Sequence, residues 1–96
     1  MQNYYSNWVK SPKTIAANNG ESDWKLLNNI RQDIIGELEA INQYTTHINE
    51  TTNADMIKYW QHIRGEEEMH VGELMSMLHR LNPQSKSNYD KGMTEK

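Results

Sequence analysis

The sequence predicts an all-α fold: an antiparallel two-helix hairpin that dimerises into a four-helix bundle, with polar N- and C-terminal extensions. Two stretches, residues 23–49 and 54–81, place apolar residues at alternating steps of three and four, the pattern of packed helices. The polar run at 49–53 interrupts this pattern and predicts a tight turn. With 96 residues and 35% hydrophobic content, a lone hairpin would have a thin core, so we expect burial to be gained by association.

The chain divides into three predicted segments. Residues 1–22 form a polar N-terminal extension with little independent structure, and its aromatic residues make it a candidate docking segment. Residues 23–83 form the hairpin, which ends at Pro83 because proline disfavours helix in the residue before it. Ser22 is a plausible N-cap for the first helix. Residues 84–96 form a polar C-terminal tail, either a short helix or disordered.

Bulk composition restricts the classes of partner. The net charge of −3 and the pI near 5.7 argue against nucleic acid or an anionic membrane as the main partner. The absence of cysteine excludes disulfides and thiolate metal sites. No apolar run approaches a membrane span, and the N-terminus lacks the apolar region of a secretory signal. We expect no nucleic-acid or membrane partner and a cytoplasmic location.

Charged residues interrupt both apolar stripes at the same level of the hairpin. The stripe of the first helix comprises Leu27, Ile30, Ile34, Glu37, Ile41, Tyr44 and Ile48. That of the second helix comprises Met56, Trp60, Ile63, Glu67, His70, Leu74, Met77 and Leu81. If the chain folds back at residue 52, Glu37 and Glu67 lie equally far from the turn, about 22 Å at roughly 1.5 Å per residue. His70 lies one helical turn from Glu67 on the same face.

These three residues predict half of a di-iron centre. Buried carboxylates and imidazoles need partners, and a bundle di-iron site takes a Glu from each of two helices and a Glu-x-x-His from each of the other two. One chain supplies Glu37, Glu67 and His70, so a two-fold homodimer would supply the full set. Four carboxylates and two divalent ions also sum to zero charge.

A longer motif resembles the encapsulated ferritin family. The matching residues are Gly36-Glu37-Leu38-Glu39-Ala40-Ile41 with Tyr44, then Glu66-Glu67-Glu68-Met69-His70 and the helix end at Asn82-Pro83. The resemblance implies a ferritin-like four-helix bundle and a ferroxidase that oxidises Fe(II) to Fe(III) with dioxygen for iron storage or detoxification. It also implies a larger ring such as a decamer, and an encapsulin shell as partner and nanocompartment.

The resemblance further implies roles for individual residues. Glu67 would bridge the two irons (Fe²⁺/Fe³⁺), and Glu37 and His70 would be terminal ligands, so these three are the catalytic and metal residues. Tyr44 matches a tyrosine beside the centre, and Glu39 matches an acid on the route by which metal enters.

Two alternatives remain open beside the ferroxidase. One is a non-catalytic metal-binding protein that holds Zn or Mn as a structural element, since ligand type barely separates these metals from iron. The other is a purely structural helical oligomerisation module whose buried polar layer fixes register.

We expect His47, His62 and His79 to lie on the surface, with His62 paired to Glu66. Trp24 and Trp60 are expected as anchors near opposite ends of the hairpin.

Overall fold

The computed structural model describes residues 23–95, which form three helices and no strand. Helix α1 spans Trp24–Asn49, α2 spans Ala54–Leu81 and α3 spans Pro83–Thr94. The predicted N-terminal extension, which includes the candidate docking segment, lies outside the described residues. Ser22, the predicted N-cap, also lies outside them, and Asp23 occupies the N-cap position of α1. None of the three helices is long and apolar enough to cross a membrane.

The turn between α1 and α2 is held by local side-chain hydrogen bonds. The Asn53 side chain accepts a hydrogen bond of 3.0 Å from the backbone N–H of Met56, which caps the first turn of α2. The backbone N–H of Asn53 donates to Thr51 Oγ1 at 3.2 Å. Asp55 lies in the first turn of α2, where a negative charge is favoured by the helix dipole. The predicted turn at 49–53 is therefore confirmed.

We expect Asn53→Ala to lower the free energy of unfolding by about 1 kcal/mol, because an amide N–H at the start of α2 loses its acceptor. Urea denaturation followed by circular dichroism measures this change. The matched control is Thr52→Ala, an exposed substitution at the preceding turn position. Equal losses of unfolding free energy in both variants would show that the Asn53 N-cap hydrogen bond does not stabilise the fold.

The closed core of the chain lies at the end of the hairpin away from the turn. The buried apolar residues are Leu27, Ile30, Leu74, Leu78 and Leu81. The first two lie at the start of α1 and the other three at the end of α2, so the two helices are antiparallel, as predicted. Within residues 23–95 the all-α fold and the predicted limits of the two hairpin helices are thus confirmed.

One position in the predicted apolar stripe of α2 is wrong. The stripe includes Met77, but the structure buries Leu78 completely and leaves Met77 half-buried. Helix α2 is therefore rotated relative to the prediction, so that the face through Leu74, Leu78 and Leu81 meets α1. His70 and Met77, seven residues apart, share the edge of that interface.

The C-terminal tail is a helix rather than a disordered segment. Pro83 occupies the first helical position of α3, where its missing N–H costs nothing. The side-chain amide of the buried Asn82 donates to Ser85 Oγ at 3.0 Å. Along α3, Lys86 Nζ lies 2.6 Å from Asp90 Oδ2, one helical turn away. The ring of Tyr89 reaches back to α2 and packs on His79 at a centroid distance of 5.1 Å.

The turn half of the hairpin has no closed core. Between residues 31 and 73 no residue is fully buried. Large apolar side chains in this stretch are exposed, among them Ile35, Leu38, Tyr59 and Met69. Trp24, expected as an anchor, is also 59% exposed, so that expectation is wrong for the single chain. The three residues singled out as metal ligands belong to this open half.

Candidate metal centre

The structure brings Glu37, Glu67 and His70 together. Each offers one ligand atom, and these atoms all lie within 4.8 Å of one another. Helix α1 contributes Glu37, and α2 contributes Glu67 with His70 one turn further along. Within residues 23–95 this is the one group of three or more such side chains.

The imidazole of His70 lies against both carboxylates. Its Nδ1 is 3.2 Å from Glu67 Oε1 and 3.6 Å from Glu37 Oε1. Carboxylate oxygens only accept hydrogen bonds, so Nδ1–H donates to Glu67, while the longer contact to Glu37 is electrostatic. The Glu37 and Glu67 side chains are 12% and 18% exposed, but that of His70 is 46% exposed. The cluster is therefore covered by α1 and open to solvent on the side of His70.

Two members of the cluster, Glu37 and His70, have raised pKa values when no metal is bound. Burial raises the pKa of Glu37, and the hydrogen bond and negative charge of Glu67 raise it further, with His70 offsetting a part. Burial by itself would lower the pKa of His70. The hydrogen bond to Glu67 and the charges of both carboxylates outweigh that effect, so the pKa of His70 is raised. A cation placed between these atoms would replace the protons that they hold.

We expect the metal-free protein to lose stability as the pH rises. The folded-state pKa values of Glu37 and His70 lie above their ordinary values of 4.5 and 6.5. The folded chain therefore binds these protons more tightly than the unfolded chain does. Their contribution to stability is present below the ordinary values and is lost as the pH rises through the raised ones.

Thermal melts of chelator-treated protein, from pH 4 upward, measure this effect. Above about pH 4.5, the melting temperature of Glu37→Gln should decrease less with rising pH than that of the unsubstituted chain. Above about pH 6.5, the same should hold for His70→Gln. Glu39→Gln, an exposed substitution on the same helix, is the control. A melting temperature that rises through the same window in the unsubstituted chain would contradict the expectation.

The donor set suits a hard transition-metal ion. Two carboxylates and one imidazole fit iron, manganese or zinc, and no soft ligand is present. Three ligands on one open face leave a metal partly coordinated and in contact with water. The cluster is also half of the set that a four-helix di-iron centre requires.

The other predicted site residues lie outside the cluster. Tyr44 is half-buried about two helical turns beyond Glu37 on α1, edge-on to His47 at a centroid distance of 6.2 Å. Glu39 is exposed on α1, pointing to no part of the cluster within the described chain. The roles of Tyr44 beside the centre and of Glu39 on the metal route stay predictions.

Two of the histidines expected on the surface are partly buried. His62 is exposed and lies 3.3 Å from Glu66, as predicted. His47, however, packs on Trp60 at a centroid distance of 4.9 Å, and the Nε2 of His79 is buried. The expectation of surface positions is therefore wrong for His47 and His79, because aromatic rings from α2 and α3 cover them.

Sequence reasoning missed a polar contact between the two helices beside the cluster. Arg64, one turn before Glu67, donates from Nη1 to Thr45 Oγ1 at 2.9 Å. The Thr45 hydroxyl in turn donates to the carbonyl of Ile41 at 2.8 Å. The sequence contains a pattern that places Arg64 on the face of α2 that meets α1. This face continues to Leu74 and Leu78 in alternating steps of four and three, through Trp60, Arg64, Glu67 and Val71. This contact ties α1 to α2 on the turn side of the cluster.

Comparison with known proteins finds relatives among encapsulin cargo proteins. The chain is 38% identical over 63 residues to "Encapsulin nanocompartment cargo protein EncC" of Myxococcus xanthus, a match that covers 66% of the chain and 48% of the relative. It is 31% identical over 71 residues to "Encapsulin nanocompartment cargo protein EncB" of the same organism, covering 74% of the chain and 45% of the relative. The chain therefore spans about half the length of each. These names agree with the expected encapsulin setting.

The comparisons also correct the family assignment. No family model matches the chain, and no solved structure matches it. The relatives are described as encapsulin cargo, and neither description names a ferritin. The prediction of membership in the encapsulated ferritin family is therefore wrong as stated, and similarity to encapsulin cargo proteins replaces it.

Proposed function

We propose that this chain is a ferroxidase carried as cargo inside an encapsulin nanocompartment, with a metal centre shared between two copies of the chain. The observation that carries the proposal is the convergence of Glu37, Glu67 and His70 within 4.8 Å on the open half of the hairpin. The names of the two relatives, both encapsulin nanocompartment cargo proteins, support the cargo role and a location inside such a compartment.

The shape of the hairpin supports the second copy. Residues 31–73 contain no fully buried residue, while Ile35, Leu38 and Met69 are exposed there. A second hairpin laid across the side of His70 would cover its imidazole and apolar neighbours. Under two-fold symmetry it would add the second Glu37, Glu67 and His70 to the same site. The product is a four-helix bundle with four carboxylates and two imidazoles at its centre. Further association into a ring is part of this proposal.

Iron is the substrate in this scheme. Two Fe(II) ions held by the six side chains each give up one electron, and dioxygen takes both electrons with two protons and leaves as hydrogen peroxide. The carboxylates neutralise the added charge of Fe(III), and His70 exchanges its proton for metal on binding. Enclosure by the second hairpin would exclude bulk water and strengthen these electrostatic contacts.

Anaerobic titration followed by exposure to air tests the shared centre. Metal-free protein should bind about one Fe(II) per chain, in a species of dimer mass or larger, and consume about one dioxygen per two Fe(II). Binding without oxygen consumption would replace the ferroxidase with a non-catalytic metal site. A dimer that binds no metal would leave a structural oligomerisation module.

The cargo role is tested separately by co-expression with an encapsulin shell. The chain should co-purify at the mass of the shell and resist added protease until the shell is opened. Protease sensitivity equal to that of the chain alone would contradict encapsulation.

A further inference from the structure

A polar contact between α1 and α2 lies beside the metal cluster, in the half of the hairpin that has no closed core. Arg64 Nη1 donates to Thr45 Oγ1 at 2.9 Å, and both side chains are partly buried. Outside the cluster, this is the one side-chain hydrogen bond that joins α1 to α2 among the described residues from 31 to 73. It therefore gives this half of the hairpin a directional attachment between the helices.

The Thr45 hydroxyl is oriented to accept this hydrogen bond. A hydroxyl carries one hydrogen and two lone pairs, and Thr45 donates its hydrogen to the carbonyl of Ile41 at 2.8 Å. Only lone pairs remain for a partner on α2, and a guanidinium offers N–H donors alone. A hydrogen bond from a charged donor is also stronger than one between neutral groups. The contact thus fixes Arg64 against one particular turn of α1.

The metal cluster lies between this contact and the closed core. Arg64 precedes Glu67 by one turn of α2, and Leu74 of the core follows Glu67 by two turns. A slip of one helical turn between α1 and α2 would move Glu37 by about 5.4 Å. The ligand atoms lie within 4.8 Å of one another, so such a slip would separate them. Repulsion between the carboxylates of Glu37 and Glu67 works against their close approach when no metal is bound.

We propose that Arg64 is a positioning residue for the metal centre. Through its hydrogen bond to Thr45, it holds Glu37 level with the two ligands on α2. This inference rests on the proposed function, because it concerns the same three ligands. Arg64 acts through the hydrogen bond and not through its charge, since the raised pKa values of Glu37 and His70 arise from burial and from the cluster itself. Ligands that are held in place bind a metal more tightly than ligands that must first be brought together.

Titration of Co(II) into the metal-free full-length chain tests the proposal. Co(II) binds carboxylate and imidazole ligands, and its visible absorption reports their coordination. Thr45→Val removes the acceptor while it keeps the shape of the side chain and the charge of Arg64. It should weaken Co(II) binding by about tenfold, the low end of the loss seen for groups that orient metal ligands. Thr45→Ser keeps the hydroxyl and should keep the affinity.

Thr46→Val is the matched control. The Thr46 hydroxyl also donates to a carbonyl one turn earlier, that of Asn42 at 3.1 Å, but it is exposed and has no recorded contact with the described part of α2. This variant should leave the Co(II) affinity unchanged. Arg64→Met should weaken binding as much as Thr45→Val does. The double variant should bind no more weakly than either, because the two residues act through one hydrogen bond.

Two further measurements separate positioning from a general loss of the fold. In Thr45→Val the half-saturating Fe(II) concentration for oxidation should rise, while the rate at saturating Fe(II) stays near that of the unsubstituted chain. In the metal-free variant, amide exchange should become faster around Glu37 and Glu67 and stay unchanged near Leu27 and Leu78 of the closed core.

Three results would overturn the proposal, and they differ in what they say about the metal centre. Equal Co(II) affinity in the unsubstituted chain, Thr45→Val and Arg64→Met would remove the positioning role and leave the centre in place. Equal weakening by Thr46→Val and Thr45→Val would show a general effect of helix substitution. An unsubstituted chain that binds no Co(II) would overturn the metal centre itself, and the positioning role with it.

Discussion

Glu67→Ala is expected to lower the rate of iron oxidation by more than about 100-fold. Loss of a group that only orients a ligand costs 10- to 100-fold in many metal sites, and a direct ligand should cost more. Glu67 contacts His70 at 3.2 Å and contributes to the raised pKa of Glu37, so it is the residue that joins the other two. In the proposed dimer the substitution removes this carboxylate twice.

Glu66→Ala is the matched control for this prediction. It removes the same charge one residue away, from an exposed side chain that lies 3.3 Å from His62. Oxygen consumption and ferric absorbance after addition of Fe(II) should be lost in Glu67→Ala and kept in Glu66→Ala. Oxidation at the unsubstituted rate in Glu67→Ala would refute the assignment. Circular dichroism and mass measurements confirm that both variants fold and associate.

Leu78→Ala is expected to destabilise the chain by about 2–5 kcal/mol, because it opens a cavity in the closed core formed by the described residues of α1 and α2. Small domains have a total stability of roughly 5–15 kcal/mol, so this is a large part of the whole. Leu78 is 0% exposed and packs with Leu27 and Ile30 across the hairpin. Urea denaturation measures the loss of unfolding free energy. This loss should not depend on protein concentration.

Met77→Ala is the informative comparison, since Met77 is half-buried at the edge shared with His70. In dilute protein it should cost less than Leu78→Ala. The cost should grow with concentration if a second hairpin covers that edge, because association then buries Met77. A larger loss for Met77→Ala than for Leu78→Ala in dilute protein would mean that α2 faces α1 as the sequence pattern predicts.

The helix limits and the level of the two carboxylates were predictable from the sequence because they depend on local signals. Asn53 caps α2, Pro83 ends it, and counting from the turn places Glu37 opposite Glu67. Chain connectivity and the helical rise per residue are sufficient to predict these features.

The rotation of α2 was not predictable in the same way. From Leu74 to Leu81, a stripe through Met77 and one through Leu78 both obey the three-four pattern, and both offer an apolar residue. Packing against Leu27 decides between them. The burial of His79 likewise depends on Tyr89 of α3, a helix with no apolar periodicity of its own. The residues of the candidate site were found because carboxylates interrupted an otherwise apolar stripe.

The uneven burial along the hairpin has a consequence for its dynamics. Amide protons of α1 and α2 near Leu27 and Leu78 should exchange with solvent only on global unfolding. Those between residues 31 and 73 lack a closed core around them and should exchange through local opening in the isolated chain. Protection in that region would then report association, rising with protein concentration while the other end of the hairpin stays unchanged. The hydrogen-exchange protection of residues 31–73 would therefore measure the fraction of chains that are assembled.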